Sequence, residues 1–400
     1  MHKRIVYVYN KVVDPKKFEG GAAEVVYQQA RWMAKHTDSE VYLVTSNITS
    51  TSKGDYDVAS FKRDGINFIR MTGYNIDDPH PMRRRVVIPN LTSVIHELTE
   101  NVRSLVHFHF HISPMFWAAM IAAKVNGATV TYQPHIHPSM GYEGRERIFR
   151  DYYFRTLFKA EGALSDALIS VTREHVKFLH ELFGYRKKIF VIPNGIDPQE
   201  LRVCAKEREV RKMFNLKPSD RIVLSIGKLD KRKDPLTLAK VFRQVKKAVP
   251  EAKLVFVGKP GNQYVKTKQF LEKCGLLKST VFTSFVNNSV RNALLGMADV
   301  YCLLSQYEAF GISVAQAGYH YTPAVVTNRG GMNDIVVHGE TGFIVNFNRR
   351  VSHAPRYVIR LLRNNELLYR MGLAARERVI KNFTWDNELR KLHAVYRSLE

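Results

Sequence analysis

A chain of 400 residues, 45% of them hydrophobic, is too long for one ordinary core and suits two domains of similar size. Its net charge of +24 divides unevenly, 26 minus 19 or +7 over residues 1–190 and 35 minus 18 or +17 over residues 191–400, so an acidic partner is expected unless the charge serves solubility alone. No apolar run approaches the roughly 18 to 20 residues of a membrane-spanning helix and residues 5–9 are too short for a signal-peptide core, so a cytoplasmic protein is expected.

The chain opens on an apolar, β-branched strand over residues 4–9. A polar loop follows, and Gly20-Gly21-Ala22-Ala23 then starts a helix running to about Lys35, with Val25, Val26, Gln29 and Trp32-Met33 at helical spacing. A strand, a glycine pair and a helix start make a place where a ligand can touch backbone. The absence of GxGxxG disfavours a dinucleotide cofactor. Strands over 41–45, 66–71, 105–110, 128–132 and 167–171 alternate with helical patterns over 91–102, 114–125, 145–160 and 173–183. The cycle restarts after 189–192, with strands at 222–226, 254–257, 281–283, 300–304, 324–327 and 343–345. Such alternation predicts two successive α/β domains of doubly wound, Rossmann-like type. The turn Pro193-Asn194-Gly195-Ile196-Asp197 marks the join.

Three cysteines, Cys204, Cys274 and Cys302, lie far apart, form no CxxC pair and imply neither disulfide nor zinc. Strand periodicity puts His107, His109 and His111 on one face, with His135 and His137 at the next strand end. These imidazoles are read as metal ligands, as substrate contacts in a polar cleft or as structural residues; acidic or Cys co-ligands are missing nearby. Arg83-Arg84-Arg85 and the Arg-rich pattern over 145–160 fit either an anionic bilayer surface or the solvated side of a covering helix. The aromatics sit in core-like patterns instead of alternating with Lys and Arg, so no nucleic-acid partner is expected.

Two loops carry the chemistry. Glu308 stands alone in a polar loop between the apolar run Val300-Tyr301-Cys302-Leu303-Leu304 and a helical pattern beginning near Phe310-Gly311. In open α/β sheets ligands settle at the carboxyl ends of strands, and a helix N-terminus holds anionic groups. The second loop, Gly227-Lys228-Leu229-Asp230-Lys231-Arg232-Lys233-Asp234, likewise joins a strand to a helix, and its clustered cations suit a pyrophosphate.

In combination and order these features resemble the retaining GT-B glycosyltransferases of family 4, over nearly the whole chain. Gly20-Gly21 is similar to the family's N-terminal glycine loop, and His109 and His135 fall at its strand-end histidines. Residues 193–197 match its PNGxD turn, Lys228 and Lys233 fall at the Arg and Lys of its GRxxxxKG loop, and Glu308 heads its E-x7-E motif. Gly330-Gly331 and Gly339-Glu340-Thr341-Gly342-Phe343 match its closing glycine segments. Three positions depart from the pattern: Gln316 replaces the second acid, Lys228 the arginine, and Asp234 the glycine after Lys233.

The resemblance implies two facing Rossmann-like domains: an acceptor-binding one over 1–190, joined by a C-terminal helix over 384–400 that crosses back, and a donor-binding one over 191–383. It further implies an enzyme that moves a hexose or HexNAc from a UDP- or GDP-sugar to a lipid-linked, glycan or small-molecule acceptor. Glu308, His135, Lys233 and Lys228 would be catalytic. Gly20, Gly21, Gly227, Phe310, Gly311, Ile312 and Gln316 would bind donor, and His109 acceptor. Neither metal nor other cofactor is expected, and peripheral contact with the inner face of the cell membrane is an open reading. The alternatives are a catalytically silent binding protein of the same fold and a nucleotide-sugar epimerase or hydrolase.

Overall fold

The computed structural model describes residues 2–15, 21–48, 57–76, 85–110, 114–135, 159, 161–183 and 188–400. They form two compact units, one of residues up to Pro193 together with Glu388–Glu400, the other of Asn194–Asn387.

The first unit is built on β1 (Arg4–Tyr9), β2 (Glu40–Ser46), β3 (Ala59–Arg63), β4 (Ile66–Met71), β7 (Ser104–Phe110), β8 (Thr129–Pro134), β9 (Ala167–Ser170) and β10 (Ile189–Val191), with a separate hairpin of β5 (Tyr74–Ile76) and β6 (Arg85–Val87). The sheet runs β10-β9-β8-β7-β1-β2-β4-β3, parallel except where β3 returns beside β4. Its central strands are buried on both faces, as helix-covered parallel strands are. On one face Val6, Val8, Val106, Phe108, Val130 and Tyr132 pack with Ile95, Phe116 and Met120. A buried side chain of this size is worth roughly 1.5–3 kcal/mol, and Phe108→Ala would cost about 3–5 kcal/mol. The other face carries Tyr7, His107, His109 and Gln133, all buried.

The expected strands appear, with ends shifted by a residue or two. β3 was not expected. Its residues alternate between half-buried and exposed, as an edge strand allows, and it turns into β4 through Asp64 (φ 51°) and Gly65 (φ 77°). That Asp-Gly pair with both φ positive is the favoured two-residue hairpin turn, and Phe61 stacks on Phe68 across it at 4.7 Å. The expected basic helix over 145–160 lies, but for Lys159, outside the described residues, as do Arg83 and Arg84.

The second unit holds β11 (Arg221–Ile226), β12 (Ala252–Val257), β13 (Thr280–Phe282), β14 (Val300–Leu303), β15 (Ala324–Thr327) and β16 (Gly342–Val345), all parallel, in the order β13-β12-β11-β14-β15-β16. This is the doubly wound order 3-2-1-4-5-6, whose winding reverses between β11 and β14. In doubly wound sheets, ligands settle at the carboxyl edge of such a reversal point.

The helix Trp385–Ser398 belongs mostly to the first unit, where Leu389, Leu392 and Tyr396 are buried. Within the second unit, Ile196 bridges Thr384: Ile196 N–H donates to Phe383 O at 2.8 Å and Trp385 N–H to Ile196 O at 3.1 Å. A Cβ on Gly195 would stand 2.4 Å from Trp385 N, so the turn takes only glycine there.

Candidate active site

The reversal point of the second sheet is where the two sequence-predicted loops meet. After β11 the chain passes Gly227, Lys228 and Arg232 to Lys233, and after β14 it passes Glu308 to the helix Ile312–Tyr319. Glu308, 6% exposed, receives Lys233 Nζ at 2.7 Å on Oε1, and Arg232 Nη1 donates to Oε1 at 3.1 Å and Oε2 at 3.2 Å. Burial by itself would raise the Glu308 pKa, but the charges and hydrogen bonds of Lys233 and Arg232 outweigh it and hold the carboxyl below its ordinary range. Glu308 is therefore ionised, and the single anion faces two cations.

Backbone geometry fixes this pair of loops. A Cβ on Gly330 would lie 1.8 Å from Glu308 O, and Gly331 N–H donates to that same oxygen at 3.0 Å. Only glycine lets the Gly330-Gly331 segment press against the Glu308 backbone, and its φ of 73° excludes most other residues independently. Gly227 plays a similar part, since a Cβ there would meet Lys233 Cε at 2.7 Å. Gly311 caps the Ile312–Tyr319 helix at φ 100° without a side-chain cap; Val314 N–H turns back to Gly311 O at 2.8 Å, which leaves the N–H groups of Ile312 and Ser313 open at the same edge. Tyr301 of β14, buried, ties that turn down: its hydroxyl lies 2.8 Å from Ser313 Oγ and accepts Ile226 N–H at 3.3 Å.

Asp234 takes a glycine position without strain going unanswered. Its backbone is left-handed at φ 47°, which Asp tolerates, and its carboxylate caps the helix Pro235–Ala248 through Thr237 N and Oγ1 and pairs with Arg350 at 2.7 Å. It is thus spoken for and adds no negative charge to the Glu308 site. Lys228 is exposed, with no ion pair among the described residues. Phe310 is buried, and Ile312 and Gln316 are half-exposed on the same helix turns.

The sequence sets Lys228 and Lys233 together on one loop and Glu308 on another. In the structure Lys233 and Glu308 touch, and Lys228 does not join them. Arg232 and Tyr301 were missed. Arg232 was visible only as one charge in a run, and nothing in the sequence says which cation of the run leans toward Glu308.

In the first unit His109, fully buried, shares a hydrogen bond between its Nδ1 and Nε2 of half-buried His135 at 3.0 Å. The His109 ring stacks on His107 at 4.3 Å and on His135 at 5.2 Å. Behind them the Tyr396 hydroxyl meets His107 Nδ1 and lies 3.2 Å from the Tyr7 hydroxyl. Gln29 of the helix Gly21–His36 donates to Gln133 at 3.0 Å. Burial pulls His107 down to about 3, and burial with the neighbouring His107 and His135 pulls His109 far below the ordinary range. Both are neutral imidazoles at pH 7. His109 thus backs His135, which alone of the three reaches solvent. Gly21 opens its helix and is exposed; Gly20, His111 and His137 lie outside the described residues.

Two successive Rossmann-like units with such a site define the class of GT-B glycosyltransferases. Residues 19–200 match the family model Glycosyltransferase Family 4, and residues 206–378 match Glycosyl transferases group 1. The chain belongs to this family and is a glycosyltransferase. It is 23% identical to the trehalose synthase of Pyrococcus horikoshii, over 97% of this chain and 89% of that one. It is 27% identical to the GDP-mannose-dependent alpha-(1-6)-phosphatidylinositol monomannoside mannosyltransferase of Mycobacterium tuberculosis, over 60% of this chain and 63% of that one. Among solved structures, sucrose-phosphate synthase from Thermosynechococcus elongatus shares the fold with a TM-score of 0.77 at 18% identity, covering 99% of both chains. Anabaena HepE in complex with UDP-glucose does so with a TM-score of 0.72 at 16% identity, covering 99% of this chain and 100% of that one.

Proposed function

We propose that this glycosyltransferase takes a UDP- or GDP-sugar and transfers its hexose or HexNAc with retention of configuration, without a metal ion, to a lipid-linked, glycan or small-molecule acceptor. The observation that carries the reading is the ionised Glu308 held by Lys233 and Arg232 at the reversal point of the second sheet. One carboxylate faces two cations there, with Lys228 and the N–H groups of Ile312 and Ser313 at the same edge, so the site is short of negative charge by about one unit. A diphosphate supplies it. Relatives that use such donors support this choice: HepE has been solved with UDP-glucose, and the mycobacterial enzyme is GDP-mannose-dependent.

The chemistry follows from the residue types. Double displacement with retention asks for two carboxylates about 5–5.5 Å apart. Here Gln316, which does not ionise, holds the second acidic position of the motif, and Asp234 is bound to Arg350. A front-face transfer needs no second carboxylate: the departing phosphate oxygen takes the acceptor proton while fixed positive charge stabilises the leaving group. Lys233, Lys228 and the helix N-terminus would supply that charge, Glu308 would hold donor-sugar hydroxyls, and Gln316 would bond the ribose. Neutral His135, steadied by His109, would meet sugar or acceptor.

A thermal-shift panel of UDP-, GDP- and ADP-sugars at saturating concentration tests the donor, since a ligand at a hundred times its Kd stabilises by about 2.7 kcal/mol. One donor should raise the midpoint of the wild type and raise Glu308→Ala far less. No shift with any nucleotide sugar, or equal shifts in both proteins, would overturn the assignment. The anomeric proton signal of the product, followed in the presence of a chelator, reports retention and metal independence together.

A further inference from the structure

Three helices lie side by side over one face of the second sheet: Pro235–Ala248 in the middle, Tyr264–Lys273 on one flank and Arg350–Arg363 on the other. The middle helix and Arg350–Arg363 together carry eight Lys and Arg and no Asp or Glu; Tyr264–Lys273 adds three Lys against one Glu. That is 8 plus 3 minus 1, or +10, out of the +17 that residues 191–400 hold. Lys240, Arg243, Lys247, Arg356, Arg360 and Arg363 are all exposed, and none forms an ion pair among the described residues. The other two of the eight turn inward, Arg350 to Asp234 and half-buried Lys246 to the carbonyls of Pro250 and Ala252.

Apart from the Asp234–Arg350 pair, the face is stitched together without acids. Gln244 donates to Val351 O at 3.1 Å, Arg363 donates to Ala248 O, and Arg243 lies over Phe270 at 5.8 Å. A covering helix kept soluble by charge ordinarily mixes both signs, with i,i+4 acid–base pairs, and Pro235–Ala248 and Arg350–Arg363 have none. Single-sign charge of this density repels itself and weakens the fold unless an anion covers it.

We infer that this three-helix face docks on an anionic lipid bilayer. The charge is spread across neighbouring helices instead of lining a groove, which suits a broad sheet of phosphate headgroups. Val265 and Val351 stand exposed among the cations and offer apolar contact at the interface. A single-stranded nucleic acid would call for exposed aromatic rings as stacking platforms, and the rings of this face, Phe270 and Tyr357, are half-buried under Arg243 and Arg356. The three helices contain none of the residues placed at the Glu308 site.

Co-sedimentation with vesicles of phosphatidylcholine alone, or of phosphatidylcholine with phosphatidylglycerol, tests it. The wild type should pellet with the anionic vesicles only, and release as salt shortens the Debye length below about 8 Å. The triple variant Lys240→Glu, Lys247→Glu, Arg356→Glu should lose at least tenfold in vesicle affinity while its thermal midpoint does not fall and its response to nucleotide sugar stays unchanged. A control with the same charge change elsewhere, Arg208→Glu, Lys212→Glu, Lys217→Glu, should keep most of the binding. Failure of the wild type to bind, or equal loss in both variants, overturns the proposal. Binding of a single-stranded RNA with anionic vesicles left unbound overturns it in favour of a nucleic-acid face.

Discussion

At Glu308 the two cations are not equivalent. Lys233 is 14% exposed and Arg232 45% exposed, so the Lys233 pair is shielded from water while the Arg232 pair is screened. Removing the lysine leaves a buried carboxylate with a weaker partner, which costs about 3 kcal/mol; removing the arginine costs 1 kcal/mol or less on the scale of surface pairs, about 0–1 kcal/mol. Lys233→Met should therefore lower the denaturation midpoint clearly more than Arg232→Ala, and equal drops would mean that the guanidinium carries the pair. Because the folded pKa of Glu308 is depressed, the stabilisation is present above the ordinary carboxylate range and lost as pH falls through the folded value. The site should hold its charge pattern throughout neutral pH. The departure at Asp234 also finds its reason at this scale, since Thr237 and Arg350 answer the carboxylate that a glycine would lack.

At the scale of elements, the loops around Glu308 depend on a close backbone approach. Gly330→Ala meets both an oxygen at 1.8 Å and a left-handed φ, so it should displace Glu308 and abolish the thermal shift by the donor. Gly127→Ala, at a φ of 73° but in open space, controls for backbone strain alone and should leave the donor response intact. The elements themselves were largely legible in the sequence, because parallel strands buried on both faces leave near-continuous apolar runs such as residues 222–226 and 324–327. β3 was not, since the half-exposed Ala-Ser-Phe-Lys-Arg has no such run, although its Asp64-Gly65 turn was there to be read. The pairing of Glu308 with residues 232 and 233 was out of reach for a different reason. It is made by the 3-2-1-4 strand order, which puts β14 next to β11 across two intervening strands of sequence, and no local pattern encodes that adjacency.

For the molecule as a whole, two buried groups in the first unit set opposing pH limbs. His107 and His109 are neutral when folded and charge when unfolded, so stability is full above about 6.5 and falls as pH drops below it, by about 1.4 kcal/mol per pH unit for each histidine. Glu161, fully buried, is pushed by burial up to about 8, against the opposing hydrogen bonds of Trp117 and Tyr132. Its folded pKa is raised, so its contribution is complete below about 4.5 and is lost as pH rises toward 8. Glu161→Gln keeps an acceptor for Trp117 and removes the ionisation; it should raise the unfolding midpoint at pH 9 and leave it nearly unchanged at pH 4, as differential denaturation at the two pH values would show.

The first unit draws Glu388–Glu400 from the far end of the chain, and Tyr396 among them supplies the hydroxyl that meets Tyr7 and His107. On the ribosome this reverses the usual order of completion. Asn194–Asn387 is synthesised as one uninterrupted stretch and has all its residues first, while the unit begun earlier waits with a polar slot open beside β1 and β7. A chain halted at residue 387 would release a finished second unit attached to a first one that lacks Glu388–Glu400.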